Sequence, residues 1–185
     1  MRIIGGSARG LHLSAVGDGD AKAHLRPTSD RVRESIFNLL INGGYGNPLA
    51  GARVLDAFAG TGALGLEALS RGASAAVFLE NGPTALAILK RNIGLMRAED
   101  RCEVLRRDAL KPGLNPGAAF DLMFLDPPYG KQMGEAALAA LEGWLAPEAL
   151  VIWEENTPPN RPSGFDQLDQ RKYGETIVTI LQAPK

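Results

Sequence analysis

Five short runs of almost unbroken apolar residues constrain the fold of this chain more than any other feature. They are Arg53–Phe58, Ala75–Glu80, Cys102–Arg107, Phe120–Asp126 and Ala149–Glu154. A strand that alternates apolar and polar residues keeps one face wet, whereas a strand that is apolar throughout is buried on both faces. Between the runs lie segments with helical spacing: Ala63–Ser70 ended by Gly72, a stretch opened by Pro83 that continues to about Ile93, and Glu135–Leu145. Alternating strand and helix with doubly buried strands predict an α/β fold, a parallel sheet covered by helices. The last segment, Phe165 to Gln182, reads as two strands around Gly174. Strands joined so tightly are antiparallel, so the sheet should close with an antiparallel strand.

Upstream of the first run the pattern differs. Met1 to Val16 reads as two short strands around Gly5, Gly6 and Gly10, a hairpin. Val16–Ala23 is a polar loop. Thr28-Ser29-Asp30 offers N-cap residues to a helix whose apolar positions are Val32, Ile36, Leu39 and Leu40, stopped by Gly43-Gly44. The expected division is a β-hairpin extension over 1–25 and a main domain over 26–185. The chain has 185 residues, 45% of them hydrophobic, and a formal net charge of −1. That is enough for one real core, and it argues against a protein that holds naked nucleic acid by charge alone. The one cysteine, Cys102, allows no internal disulfide. The opening MRIIGGSARG has no long apolar stretch and no run approaches a membrane span, so a cytoplasmic monomer is expected.

Val54 to Gly65 places a glycine-rich turn between the first strand and its helix. Gly60, Gly62 and Gly65 match G-x-G-x-x-G, and Glu80 ends the next strand. Ligands bind at the carboxyl ends of strands in such sheets, where glycines let the backbone approach them. Three readings compete: a tight turn without ligand, a dinucleotide site, and an S-adenosylmethionine site. A pyrophosphate favours bare N–H groups with no carboxylate nearby. Asp56, just before the turn, would repel it but suits the cationic amino group and sulfonium of S-adenosylmethionine. Glu80 is placed to accept hydrogen bonds from two ribose hydroxyls. Asp108, in Arg107-Asp108-Ala109, is placed to accept the adenine amino group; its plainer reading is an aspartate capping a turn.

Asp126-Pro127-Pro128-Tyr129 follows the fourth run and carries the chemistry. Two prolines remove two backbone donors and fix φ at both positions. An exocyclic amine on a nucleobase is a poor nucleophile because its lone pair is delocalised into the ring. The Asp126 carboxylate and the Pro127 carbonyl can accept its two N–H bonds, draw nitrogen towards a tetrahedral form and stabilise the positive charge that develops on it. Tyr129 offers a stacking face, worth about 1–3 kcal/mol per base. A base within a stack cannot enter such a pocket, so the target must be flipped or unpaired.

With both motifs in place, the chain resembles the RsmD family of 16S ribosomal RNA (guanine-N2) methyltransferases. The resemblance extends to Arg2-Ile3-Ile4-Gly5-Gly6 with Arg9-Gly10, and to the run from Arg26-Pro27-Thr28 through Arg31-Val32-Arg33-Glu34 to Leu40. It implies a Rossmann-like class I methyltransferase fold with a mostly parallel seven-stranded sheet and an antiparallel C-terminal strand. It implies S-adenosylmethionine as methyl donor, with Thr28 and Arg31 near its methionine end and Asp56, Phe58, Gly60, Thr61, Gly62, Glu80, Asp108 and Ala109 lining the rest. The implied partner is 16S rRNA within the small ribosomal subunit, and no metal is expected. Arg2, Arg9, Lys22, Arg26, Arg31 and Arg33 cluster in the first segment, while Lys131, Arg171 and Lys172 fall in loops expected near the active face. Arg9, Arg33 and Lys131 are the candidates for RNA contact. Arg33 and Glu34 are adjacent in a helix and cannot face the same way, so one of the two is expected to be structural. The rival enzyme is a DNA adenine-N6 methyltransferase, which shares the Asp-Pro-Pro-Tyr chemistry but usually carries an added target-recognition region. Glutamine-amide methylation, a silent binding module and a dinucleotide oxidoreductase are further alternatives.

Overall fold

The computed structural model describes residues 1–15 and 29–185, so Thr28, Lys22, Arg26 and the expected loop over 16–23 lie outside the described residues. The elements run α1 (Asp30–Asn42), β1 (Arg53–Ala57), α2 (Ala63–Ser70), β2 (Ala75–Leu79), α3 (Pro83–Met96), β3 (Cys102–Leu105), β4 (Phe120–Leu125), α4 (Met133–Leu141), β5 (Leu145–Glu155), β6 (Asp166–Tyr173) and β7 (Thr176–Gln182). They build a seven-stranded sheet in the order β3-β2-β1-β4-β5-β7-β6. The five strands from β3 to β5 are parallel to one another. β7 runs antiparallel to both β5 and β6. This is the expected α/β sheet with its antiparallel C-terminal strand.

The doubly buried strands explain the architecture. Along β1, Val54 faces one apolar cluster and Leu55 the other, and the same alternation holds for Phe78 and Leu79 and for Phe124 and Leu125. One cluster is completed by Phe37 of α1, Leu66 of α2 and Leu89 of α3. The other is completed by Leu138 and Leu141 of α4 with Trp144. Strand order reverses between β1 and β4, and the crevice above such a reversal, at the carboxyl ends of the strands, is where open α/β sheets bind ligands.

Two expectations need correction. The segment expected as helix to Leu145 leaves the α-helix at Leu141, and β5 starts at Leu145 rather than Ala149. Its first residues form an irregular ladder, pairing Phe120 with Leu145 and then Leu122 with Leu150. Pro147, which has no N–H, and Glu148, at φ 60°, fall inside that shift. The N-terminal hairpin is also less regular than its pattern implied. Its arms meet in a short ladder about the Arg2–His12 pair, with Ile3 N–H donating to the Leu11 carbonyl, Gly10 N–H to that of Ile3 and Leu13 N–H to that of Met1, in place of two full strands. The reason lies in where the backbone donors go. The N–H groups of Ile4 and Gly5 are taken by Glu67, and those of Ser7 and Ala8 by Ser70. Gly6, at φ +78°, sits so close to the Ser70 carbonyl that a Cβ there would lie 1.8 Å from it, so α2 and the segment meet backbone to backbone. Ile3 and Leu13 are buried in the same cluster as Phe37 and Leu66, so residues 1–15 are part of the main core.

Candidate active site

The register of the parallel strands sets the site. Ala57 is level with Leu79 and Leu125, and Leu125 with Trp153. The next residue in each strand therefore falls in one row: Glu80, Phe58, Asp126 and Glu154, with neighbouring strands about 4.8 Å apart. Asp108 lies three residues beyond the end of β3 at the same edge. Three carboxylates thus rim the crevice, Glu80, Asp126 and Asp108, while Asp56 lies two residues below the row and is buried.

The glycine-rich turn is built by its own geometry. Gly62, at φ +81°, forms the N-cap of α2, and a Cβ on it would lie 2.4 Å from Leu89. At Gly65 a Cβ would meet the Phe78 ring at the same 2.4 Å, so this glycine lets α2 settle onto β2. Phe58, at φ +64°, is a bulky residue in the left-handed region. Such outliers gather at functional sites, where surrounding structure holds them against their strain. Glu80 fastens the turn from the side: its Oε2 accepts the Gly60 N–H at 2.8 Å, and its Oε1 accepts those of Asn81 and Gly82 at 2.9 and 2.7 Å. Asp108 caps its own turn, with Oδ1 accepting the Leu110 N–H at 2.9 Å, and Ala109 is buried beside it.

Across the reversal, the loop after β4 is held by β5. Glu154 accepts the Tyr129 hydroxyl at 2.7 Å, and Thr176 lies 3.1 Å from the same oxygen. Burial pushes the Tyr129 phenol above its usual range; Thr176 opposes that rise and the Glu154 charge adds to it. Tyr129 is therefore a fixed, protonated wall and not a base. Glu155 accepts the Gly130 N–H at 3.2 Å. Asp126 is half-buried and Pro127 buried. A carboxylate and a loop with no proline N–H groups, pinned by adjacent glutamates, form a rigid pair of acceptors across the strand-order reversal from the glycine-rich turn.

Residues 1–182 match the family described as conserved hypothetical protein 95. A ribosomal RNA small subunit methyltransferase D from Escherichia coli (strain K12) is 36% identical over 187 residues, covering 98% of this chain and 89% of that one. The chain belongs to the RsmD family. A protein with the same description from Haemophilus influenzae (strain ATCC 51907 / DSM 11121 / KW20 / Rd) is 35% identical over 191 residues, covering 98% of this chain and 93% of its own. A solved Escherichia coli chain described as a candidate methyltransferase aligns with a TM-score of 0.83 at 35% identity, over 100% of this chain and 98% of that one. The Rossmann-like class I methyltransferase fold is thus shared across the family.

Within this RsmD-family chain, the sequence-predicted cations divide. Arg9, Arg31 and Lys131 are exposed. Arg33 is not: only 1% of it is accessible. Its Nη2 donates to the Arg2 carbonyl and to Asp30 at 2.8 Å, and its Nε lies 3.9 Å from Glu67. A guanidinium spent inside the protein cannot contact RNA, so Arg33 is a structural residue and Glu34, exposed, is the outward member of the pair. Sequence reasoning also missed Glu154 and Glu155, which brace the motif loop, and Glu67 and Asn92, which hold the N-terminal segment. The signals were present: a glutamate pair closing an apolar strand, and a lone Glu67 within Leu64-Gly65-Leu66-Glu67-Ala68-Leu69.

Asp56 differs from its expected role as an open partner for a cation. It is 1% exposed, and its Oδ2 accepts the Gly65 N–H at 2.8 Å, bracing the start of α2 from beneath. Burial pushes its carboxyl up to about 7, the Gly65 bond opposes this, and the Glu80 charge adds to the rise. A carboxyl whose folded pKa is raised contributes stability that is complete below its unfolded value and lost as pH rises through the folded one. The window here runs from about 4 to about 7. Asp56→Asn keeps an acceptor oxygen and cannot ionise. Relative to this variant, the ligand-free wild type is expected to lose melting temperature as pH rises from 4 to 8, with the variant the more stable at pH 8. A difference that does not vary with pH would contradict the burial argument.

Proposed function

We propose that this chain transfers a methyl group from S-adenosylmethionine to the exocyclic N2 amine of a guanine in 16S rRNA, acting on the small ribosomal subunit. The observation that carries the proposal is Asp126-Pro127-Pro128-Tyr129 at the carboxyl end of β4, beside the strand-order reversal and clamped by Glu154 and Glu155. The relatives' descriptions as small-subunit ribosomal RNA methyltransferases favour an RNA acceptor over DNA. The guanine-N2 position rests on the resemblance to the RsmD family.

The residues present fit S-adenosylmethionine. Three carboxylates, Glu80, Asp108 and Asp126, rim the crevice, a charge set that suits a cationic ligand and disfavours a pyrophosphate. Glu80 would hold the ribose hydroxyls, Asp108 with Ala109 the adenine, and the Gly60–Gly62 turn with Phe58 the middle of the molecule. Arg31 would face the carboxylate end, and Thr28 is assigned there by resemblance alone. When bound, S-adenosylmethionine supplies an electrophilic methyl group. The Asp126 carboxylate and the Pro127 carbonyl accept the N–H bonds of the target amine and stabilise the charge that grows on nitrogen. Tyr129 holds the base by stacking. No group needs a pKa tuned to neutrality, because alignment of the reacting atoms supplies most of the rate. Arg9 and Lys131 are proposed to meet RNA phosphates.

Calorimetry tests the cofactor assignment. S-adenosylmethionine is expected to bind and NADH not to. Glu80→Ala is expected to weaken S-adenosylmethionine by about tenfold or more, the scale of a hydrogen bond to a charged group. Equal affinity in the variant removes Glu80 from the ribose role, and preferential binding of NADH overturns the proposal.

A further inference from the structure

Asn92, in the middle of α3, is fully buried, and its amide is shared between two parts of the chain far apart in sequence. Its Oδ1 accepts the Ser14 N–H at 2.8 Å and its Nδ2 donates to the Ser14 carbonyl at 3.0 Å. The same Nδ2 donates to the Thr61 carbonyl at 2.9 Å. Both N–H bonds and the carbonyl of the amide are therefore engaged, and the three contacts fix the orientation of the side chain. Thr61 lies between Gly60 and Gly62 in the glycine-rich turn. Its carbonyl belongs to the peptide whose N–H, on Gly62, donates to the Ala59 carbonyl at 2.7 Å. That peptide is pinned from both sides, and one of the two pins is Asn92. The N-terminal segment touches the turn a second time, through Thr61 Oγ1 and Met1 Sδ at 3.6 Å. Outward, the segment presents the exposed cations Arg2 and Arg9.

We infer that Asn92 is a positioning residue that links docking of residues 1–15 to the geometry of the cofactor turn, so that binding of the cofactor tightens the segment and the docked segment strengthens cofactor binding. This inference rests on the assignment of the turn to S-adenosylmethionine. Coupling between two sites is reciprocal: whatever one gains from the other it returns in equal measure. A buried asparagine that only stabilised the fold would lower the melting temperature on removal and leave the two sites independent. A linking asparagine, when removed, uncouples them in a chain that remains folded.

The test uses full-length protein and S-adenosylhomocysteine, with hydrogen exchange read by mass spectrometry and affinity by calorimetry. In the wild type, saturating ligand is expected to slow exchange in residues 10–14 by about fivefold or more. In Asn92→Ala, this slowing is expected to vanish, with ligand Kd raised by about tenfold. Ser14→Pro, which deletes the N–H received by Oδ1 and also fixes φ at that position, covers the case in which Asn92→Ala does not fold. It is expected to lose the ligand-dependent slowing as well. Ligand binding without any slowing in the wild type, or the same slowing in folded Asn92→Ala or Ser14→Pro, overturns the linkage and leaves the cofactor assignment standing. No binding to the wild type overturns both.

Discussion

Replacing Asp126 by alanine is expected to lower methyl transfer by at least about 10²-fold, the size that follows loss of one transition-state partner, while S-adenosylmethionine affinity stays within about threefold of wild type. The split follows from where Asp126 stands. It directly follows β4, on the far side of the strand-order reversal from Glu80 and the glycine-rich turn. In the proposed reaction its carboxylate would face the charge that forms on the acceptor nitrogen as the methyl group arrives. Ground-state contacts to the methyl donor are proposed for Glu80, Asp108 and the turn. An interaction made in the transition state alone appears in kcat and in kcat/KM equally. Steady-state transfer kinetics beside calorimetry read both quantities. Turnover that survives the substitution would remove Asp126 from the chemistry.

Glu67→Ala is expected to cost about 3–5 kcal/mol of stability, the range for leaving buried charged partners uncompensated. For a chain of this length that is a fall of roughly 6–20 °C in melting temperature. Glu67 is fully buried on α2. Its two oxygens accept the N–H groups of Ile4 and Gly5 at 2.8 Å and the Arg71 Nε at 2.7 Å, with Arg33 Nε 3.9 Å away. Removing the carboxylate strands two part-buried backbone donors and the Arg71 guanidinium, and takes from Arg33 one of its two acidic neighbours. Glu67→Gln, which keeps one acceptor oxygen, is expected to fall between wild type and the alanine variant. A loss below about 1 kcal/mol in urea titration would show that Glu67 is not what holds the segment and leave that to Ile3, Leu13, Ser70 and Asn92.

The sheet was legible because its strands carry their burial in their composition. Leu55 and Val54 both need a core, on opposite faces, and only a covered parallel sheet supplies two. The glycine-rich turn and the Asp126 motif were legible because glycine and proline act on the backbone locally, whatever surrounds them. What could not be read was partnership at a distance. The fate of Arg33 depends on Glu67, thirty-four positions on, and on the Arg2 carbonyl, so its charge pattern alone pointed outward to RNA. The pattern over Met1–Val16 predicted a hairpin of two short strands, and the described part, residues 1–15, folds back on itself with fewer cross-strand bonds than that. Its ladder stops at Ile3 because α2 takes the next N–H groups, those of Ile4, Gly5, Ser7 and Ala8, with the Glu67 carboxylate and the Ser70 carbonyl and hydroxyl. Asp56 shows the same limit: its position relative to the turn was evident, but its burial beneath Gly65 was set by the packing of α2.

The central claim is tested most directly by methyl transfer from labelled S-adenosylmethionine to small ribosomal subunits lacking the modification, with free 16S RNA and duplex DNA in parallel and the products digested to nucleosides. Label in N2-methylguanosine from the subunits is the expected result. Label in N6-methyladenine from DNA, with none in the subunits, would contradict the assignment of substrate while leaving the fold and cofactor site intact.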